Sequence, residues 1–319
     1  MEGVFDRIRK NISRVMIGKE EVTELLLAAL AAGGHVLLED VPGTGKTVLA
    51  KALAKSMDFR FGRVQFTPDL LPSDVTGLSY YHQEKGAFVF REGPVFANLL
   101  LADEINRATP RTQASLLECM AEGQVTVDGQ TRKLEEPFFV IATENPVETL
   151  GCFQLPEAQL DRFLMKLSMG GLSAAEERTL IDRYIDAEPL QTLQPVCTRE
   201  EVQNLQAECR KVFVHEDLRD YIVRLVQETR KSTAAPAGGL SSAGVSPRGT
   251  LALLRASQGL ALVAGRDYVV PEDIKKAEVP VLAHRLLAED ADDAQKAAVI
   301  KRLLEAVAVP TEDWGRRLD

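Results

Sequence analysis

The chain has 319 residues, 45% hydrophobic and 27% charged, a balance that suits a globular protein of about two domains. Its net charge of −9 disfavours broad coverage of nucleic acid phosphates, and no apolar run is long enough to span a bilayer, the longest (25–38) being broken by Gly33, Gly34 and His35. Residues 1–19 are amphipathic and charged, unlike a secretory leader, and Cys119, Cys152, Cys197 and Cys209 are too scattered for a disulfide framework or a zinc site, so a reducing cytoplasm is expected.

The first strong pattern is an apolar strand over 35–39, then Asp40-Val41-Pro42-Gly43-Thr44-Gly45-Lys46-Thr47, then an amphipathic helix over 48–55. Glycines at 43 and 45 let backbone N–H groups turn toward phosphate oxygens, Lys46 reaches the terminal phosphates, Thr47 holds magnesium, and the helix N-terminus adds a favourable dipole. Asp40 stands where the strict pattern has glycine. In the helix, Val48, Leu49, Ala52 and Leu53 form one stripe, with Lys51 and Lys55 on the other side.

Further apolar runs at 60–66, 99–103, 138–143 and 163–168 alternate with helical patterns. Five such runs predict an α/β fold with a five-stranded, mostly parallel sheet and helices on both faces. The run at 99–103 ends in Asp103-Glu104, where one acid can hold hydrated magnesium and the other can polarise the attacking water; Asp103 is assigned to the metal and Glu104 to the water. Taken alone, two acids could also cap the helix beginning near Thr109. Asn145 follows the run at 138–143, placed to hydrogen-bond the γ-phosphate and the water, although Asn145-Pro146 is also a good turn dipeptide. Residues 124–134 predict a β-hairpin turning at Asp128-Gly129.

After Gly170-Gly171 strands give way to helical stretches at 174–185, 199–211, 216–231, 247–264, 271–287 and 292–308. The stretch 188–196 is read as a linker, dividing a nucleotide-binding α/β domain (1–188) from a smaller all-helical lid (189–319). The Ala-, Gly- and Ser-rich stretch 232–246 is a second loop, inside the lid.

The arrangement resembles the AAA+ ATPases and, more narrowly, their MoxR family. The narrow match rests on Glu39 through Thr47, on Ala102-Asp103-Glu104-Ile105-Asn106-Arg107-Ala108 with Pro110 and Gln113, on Ala142-Thr143-Glu144-Asn145-Pro146, and on Leu155 through Phe163. The resemblance implies ATP with Mg2+ as cofactors, bound by Pro42, Gly43, Thr44, Gly45, Lys46, Thr47 and Val48, with Ile17 and Gly18 on the adenine side. It implies that Arg162 acts as an arginine finger on the neighbouring subunit's nucleotide, with Arg107 and Arg111 as rivals, and that Arg248 of Ser246-Pro247-Arg248 senses the γ-phosphate from the lid. It also implies that the insertion at 66–98 and the hairpin face a central pore. Tyr80, Tyr81, Phe88, Arg132 and Lys133 are then candidate substrate contacts, with hairpin packing as their simpler explanation.

The function so implied is a hexameric ring that hydrolyses ATP at its subunit interfaces as a chaperone-like remodelling or assembly factor. Its expected partners are a von Willebrand factor A domain protein and a protein client, with neither nucleic acid nor a membrane. A nucleic-acid motor and a magnesium-chelatase-type motor subunit belong to the same branch. The acidic balance speaks against the first and the close match at 155–163 against the second.

Overall fold

The computed structural model describes residues 3–41, 43–145, 152–185, 188–233, 244–286, 293–311 and 314. The chain opens with α1 (Val4–Ser13) and α2 (Glu20–Ala31), followed by β1 (Val36–Glu39), α3 (Lys46–Ser56) and β2 (Phe61–Gln65). A short helix, α4 (Pro72–Thr76), leads into the antiparallel pair β3 (Gly77–His82) and β4 (Ala87–Glu92). Then come β5 (Leu99–Asp103), α5 (Pro110–Glu122), the hairpin β6 (Gln124–Val127) and β7 (Gln130–Lys133), and β8 (Phe139–Glu144). The remainder is α6 (Glu157–Leu160), β9 (Met165–Leu167), α7 (Ala174–Tyr184), α8 (Pro189–Thr192), α9 (Arg199–Cys209), α10 (Glu216–Thr233), α11 (Pro247–Val263), α12 (Pro271–Leu282) and α13 (Asp293–Glu305).

The five main strands form one sheet in the order β2-β5-β8-β1-β9, and β1 with β8, β5 with β8, and β2 with β5 pair in parallel. Every residue from Leu99 to Ala102 and from Phe139 to Ala142 is buried, as expected where helices cover both faces of a parallel sheet. Against it α3 buries Leu49, Ala52 and Leu53 of its predicted stripe, together with Ala50 and Ala54, while Val48 is half-buried. His35, just before β1, is buried and hydrogen-bonds from both ring nitrogens, Nδ1 accepting from Val140 N–H and Nε2 meeting Met120 O, each at 3.1 Å. Burial lowers its pKa to about 4, so the ring is neutral.

The 124–134 hairpin forms as predicted, with Asp128 (φ 52°) and Gly129 (φ 72°) supplying the two left-handed residues of a tight turn. Burial pushes the free thiols of Cys119 and Cys197 up to about 12 and that of Cys209 up to about 11, in keeping with a packing role.

Contacts group the chain into two compact units that interleave in sequence. One holds 1–22, 35–162 and 167–203, and the other holds 23–34, 163–166 and 204–319. The position between 188 and 189 falls inside the first unit. The stretch read as a linker forms α8 and is tied down: Lys55 Nζ donates to Leu190 O (3.0 Å), and the N–H groups of Val196 and Cys197 donate to Ser56 O. In the second unit α10, α11 and α12 start at the predicted residues. α12 stops at Leu282, five residues short of the expected end, where the chain tightens into a 3-10 turn at Ala283–Arg285 just after Pro280, which has no N–H to give the helix ladder.

Candidate active site

The phosphate-loop residues lie between the end of β1 and the start of α3. Gly43 (φ 87°) and Gly45 (φ 92°) take left-handed backbone conformations that side-chain-bearing residues rarely adopt, and Gly45 caps α3. That helix begins at Lys46, two residues earlier than its hydrophobic stripe suggests, so Lys46, Thr47 and Val48 sit in its first turn, where N–H groups have no partner within the helix. Lys46 Nζ donates to Asp40 O at 2.7 Å. Burial lowers the Lys46 pKa, opposed by the nearby charges of Asp40, Asp103, Glu104 and Glu39. An ammonium half-withdrawn from water among carboxylates is an effective receiver for phosphate. Pro42 lies outside the described residues.

Strand order brings the acids alongside this loop. β8 lies between β1 and β5, so the phosphate loop, Asn145 and the acid pair all emerge from the carboxyl ends of adjacent parallel strands, the usual place for ligands in such sheets. Asp103 closes β5, and Glu104 takes the left-handed region (φ 55°, ψ 51°), an unusual conformation for a residue with a side chain. Thr143 of β8 holds this turn: its hydroxyl donates to Asp103 Oδ1 (2.7 Å) and accepts from Glu104 N–H (2.8 Å). From β2, Arg63 Nη2 donates to Asp103 Oδ2 (2.7 Å) and Gln65 Nε2 to Glu104 Oε2 (2.7 Å), while Arg107 pairs with the same Glu104 oxygen at 3.2 Å. Asn145 is buried immediately after β8. Thr143, Arg63 and Gln65 were not singled out in the sequence, because their partners lie about forty residues away along the chain.

Next to the loop is a cavity of about 760 Å³ lined by Val15, Ile17, Gly45, Val48, Leu180 and Tyr184, among others. Of the residues assigned to the nucleotide, Ile17, Gly43, Thr44, Gly45 and Val48 line it, whereas Gly18, Lys46 and Thr47 do not. The α7 wall was missed. Its trace in the sequence is Leu180, Ile181 and Tyr184 at helical spacing; in the fold α7 buries none of its residues and Ile181 is 63% exposed. Thr47 and Asp103 offer the hard oxygen donors that suit magnesium, an ion held mainly by one or two protein oxygens together with substrate phosphates.

The arginines are dispersed. Arg162 is exposed and donates to Leu117 O of α5 at 2.9 Å, and Arg111 is exposed in the first turn of α5. Arg248 is exposed in the first turn of α11, in the second unit. Of the candidate substrate contacts, Tyr80, Tyr81 and Phe88 are exposed, whereas the Arg132 guanidinium stacks over Phe90 at 3.9 Å.

Comparison with known proteins agrees with this geometry. An ATPase family associated with various cellular activities (AAA) matches residues 35–165, and the AAA lid domain matches 237–303. The protein named Chaperone MoxR1 of Mycobacterium tuberculosis is 43% identical over 96% of this chain and 82% of its own length. Protein MoxR of Paracoccus denitrificans is 32% identical over 92% of each. A solved structure from Cytophaga hutchinsonii, described as a candidate ATPase, superposes with a TM-score of 0.88 at 38% identity, covering 97% of this chain and 95% of that one. Because these MoxR proteins match the chain over most of both lengths at 32–43% identity, the chain belongs to the MoxR family of AAA+ ATPases.

Proposed function

We propose that the protein hydrolyses ATP to ADP and phosphate at the subunit interfaces of a ring, hexameric by family, and uses the cycle to remodel or assemble protein complexes in the cytoplasm. The observation that carries this reading is the Thr143 hydroxyl bridging Asp103 and Glu104 at the strand end two strands from the phosphate loop. The name of the Mycobacterium tuberculosis relative supports the chaperone-like role.

In this reading Gly43, Thr44, Gly45 and Lys46 bind the phosphates, with Ile17 and Val48 against the base. Thr47 and Asp103 hold magnesium, which when bound neutralises charge on the phosphates. Glu104 orients and deprotonates the attacking water, and Asn145 holds that water in line with the γ-phosphorus. Arg162 serves a neighbouring subunit's site and Arg248 links nucleotide state to the lid, with 1–188 as the nucleotide-binding domain and 189–319 as the lid. A von Willebrand factor A domain protein is the proposed partner that brings the client.

Replacing Glu104 by Gln removes the base and keeps the shape. The variant should bind ATP like the wild type and turn it over at least about a hundredfold more slowly. Undiminished steady-state hydrolysis would remove Glu104 from the mechanism. Mixing Arg162→Ala with Lys46→Ala subunits separates action in trans from action in cis: activity restored in the mixture requires a guanidinium donated across an interface, and an inactive mixture assigns Arg162 to its own subunit.

A further inference from the structure

The segment that joins β9 to α7 is held by two side chains, Lys19 and Asp40, that the phosphate and acid-pair chemistry leaves without a role. Lys19 is only 4% exposed, and its ammonium donates to three successive main-chain oxygens, Met169 O (2.8 Å), Gly170 O (3.0 Å) and Gly171 O (2.9 Å). Asp40 holds the same segment: its Oδ2 accepts from Gly170 N–H (2.9 Å) and from the Ser168 hydroxyl (3.2 Å), while its Oδ1 accepts from Val41 N–H (2.9 Å). Lys19, Gly170 and Gly171 all line the apolar cavity beside the phosphate loop.

A buried ammonium is tolerated only where its hydrogen bonds are satisfied, and three carbonyls satisfy its three donors. Those carbonyls in turn have their orientation fixed by the charge. Asp40 adds a second constraint, because it occupies the first position of the phosphate loop, where the strict pattern has glycine, and a glycine there has no side chain to reach Ser168 or Gly170. Its own carbonyl oxygen accepts from Lys46 Nζ at 2.7 Å. One residue therefore touches both the phosphate-binding lysine and the cavity wall.

We propose that Lys19 and Asp40 are positioning residues that hold the 168–171 segment at a set separation from the phosphate loop, and thereby determine how much of the binding comes from the nucleoside rather than from the triphosphate. The proposal rests on the reading of the cavity as the nucleoside site.

The test measures dissociation constants of the full-length protein for ATP and for inorganic tripolyphosphate, both with magnesium, by calorimetry. The readout is the ratio of the tripolyphosphate constant to the ATP constant. Lys19→Met and Asp40→Gly should each lower that ratio about tenfold, equivalent to about 1.4 kcal/mol, by weakening ATP relative to tripolyphosphate; the Asp40 charge beside Lys46 acts on the phosphates of both ligands and so cancels in the ratio. Asp40→Asn, whose amide oxygen can still accept from Gly170 N–H, should keep most of the wild-type ratio. Equal loss for both ligands, as a general loosening of the fold produces, or an unchanged ratio overturns the proposal. Should Lys19→Met not fold, Asp40→Gly decides the matter alone, since it alters one partly exposed residue of a loop. Failure of the wild type to bind ATP would instead overturn the nucleotide-site reading, so the two failures are distinguishable.

Discussion

Thr143 is buried at the middle of the acid pair, and Thr143→Val removes its hydroxyl while preserving the branched shape. Two hydrogen bonds disappear. The bond donated to the Asp103 carboxylate is worth about 1.5–3 kcal/mol, and the one accepted from Glu104 N–H about 1 kcal/mol. Each acid keeps another anchor, Arg63 on Asp103 and both Gln65 and Arg107 on Glu104, so the turn loosens without collapsing. If between half and all of the roughly 3 kcal/mol falls on the transition state, hydrolysis slows about 10- to 100-fold. Single-turnover hydrolysis across a magnesium titration is the assay, with ADP affinity in the absence of magnesium as the control, since the phosphate loop and cavity are untouched. Thr143→Ser, which keeps the hydroxyl, should stay within about threefold of wild type. A Thr143→Val protein that hydrolyses ATP within twofold of wild type, with the same magnesium dependence, would refute the argument that this bridge organises the acids.

Three further outcomes test the packing within each unit. His35 is neutral in the fold with its pKa lowered to about 4, so its contribution is fully present above its unfolded pKa near 6.5 and is lost as pH falls toward 4, about 3 kcal/mol over that window. Denaturant midpoints measured from pH 7 to 4 should fall more steeply for wild type than for His35→Gln, and parallel curves would contradict the assignment. A Cβ added at Gly259 of α11 would lie 2.3 Å from Ala28 O of α2, main chain against main chain, so Gly259→Ala should cost about 1–3 kcal/mol despite alanine's better helix propensity; an unchanged or raised melting temperature would show that the two helices can part freely. Glu278 of α12 is buried, burial pushes its pKa up to about 8, and its Oε2 has no hydrogen-bond partner among the described residues. The folded state therefore favours the protonated form, and its stability falls as pH rises from about 4.5 toward 8. Glu278→Gln should accordingly gain more over wild type at pH 9 than at pH 6, as read from thermal unfolding at the two pH values.

What could be read along the chain was whatever physical chemistry writes locally. Glycines at 43 and 45 ahead of Lys46-Thr47 announce a phosphate loop because only a left-handed turn before a helix needs them there. Continuous apolar runs announce strands covered on both faces, and the run ending at Asp103-Glu104 announces acids at a strand's exit. The Asp128-Gly129 turn, the helical second half and the family itself followed from patterns of the same short range. The Pro and Gln content of 188–196 reads as a linker and says nothing of the carbonyl of Ser56, which receives the Val196 N–H.

Tertiary structure alone decided which strand neighbours which, and with it the working parts of the site. Thr143 meets Asp103 and Glu104 only because β8 pairs with β5, and Arg63 and Gln65 meet them only because β2 lies on the other side of β5. α7 becomes a cavity wall, and Lys19 a clamp on Met169, Gly170 and Gly171, through contacts that span about 150 residues. A periodic sequence specifies which face of an element seeks burial. The partner that covers that face is chosen by the packing of the whole sheet, and no local pattern encodes it.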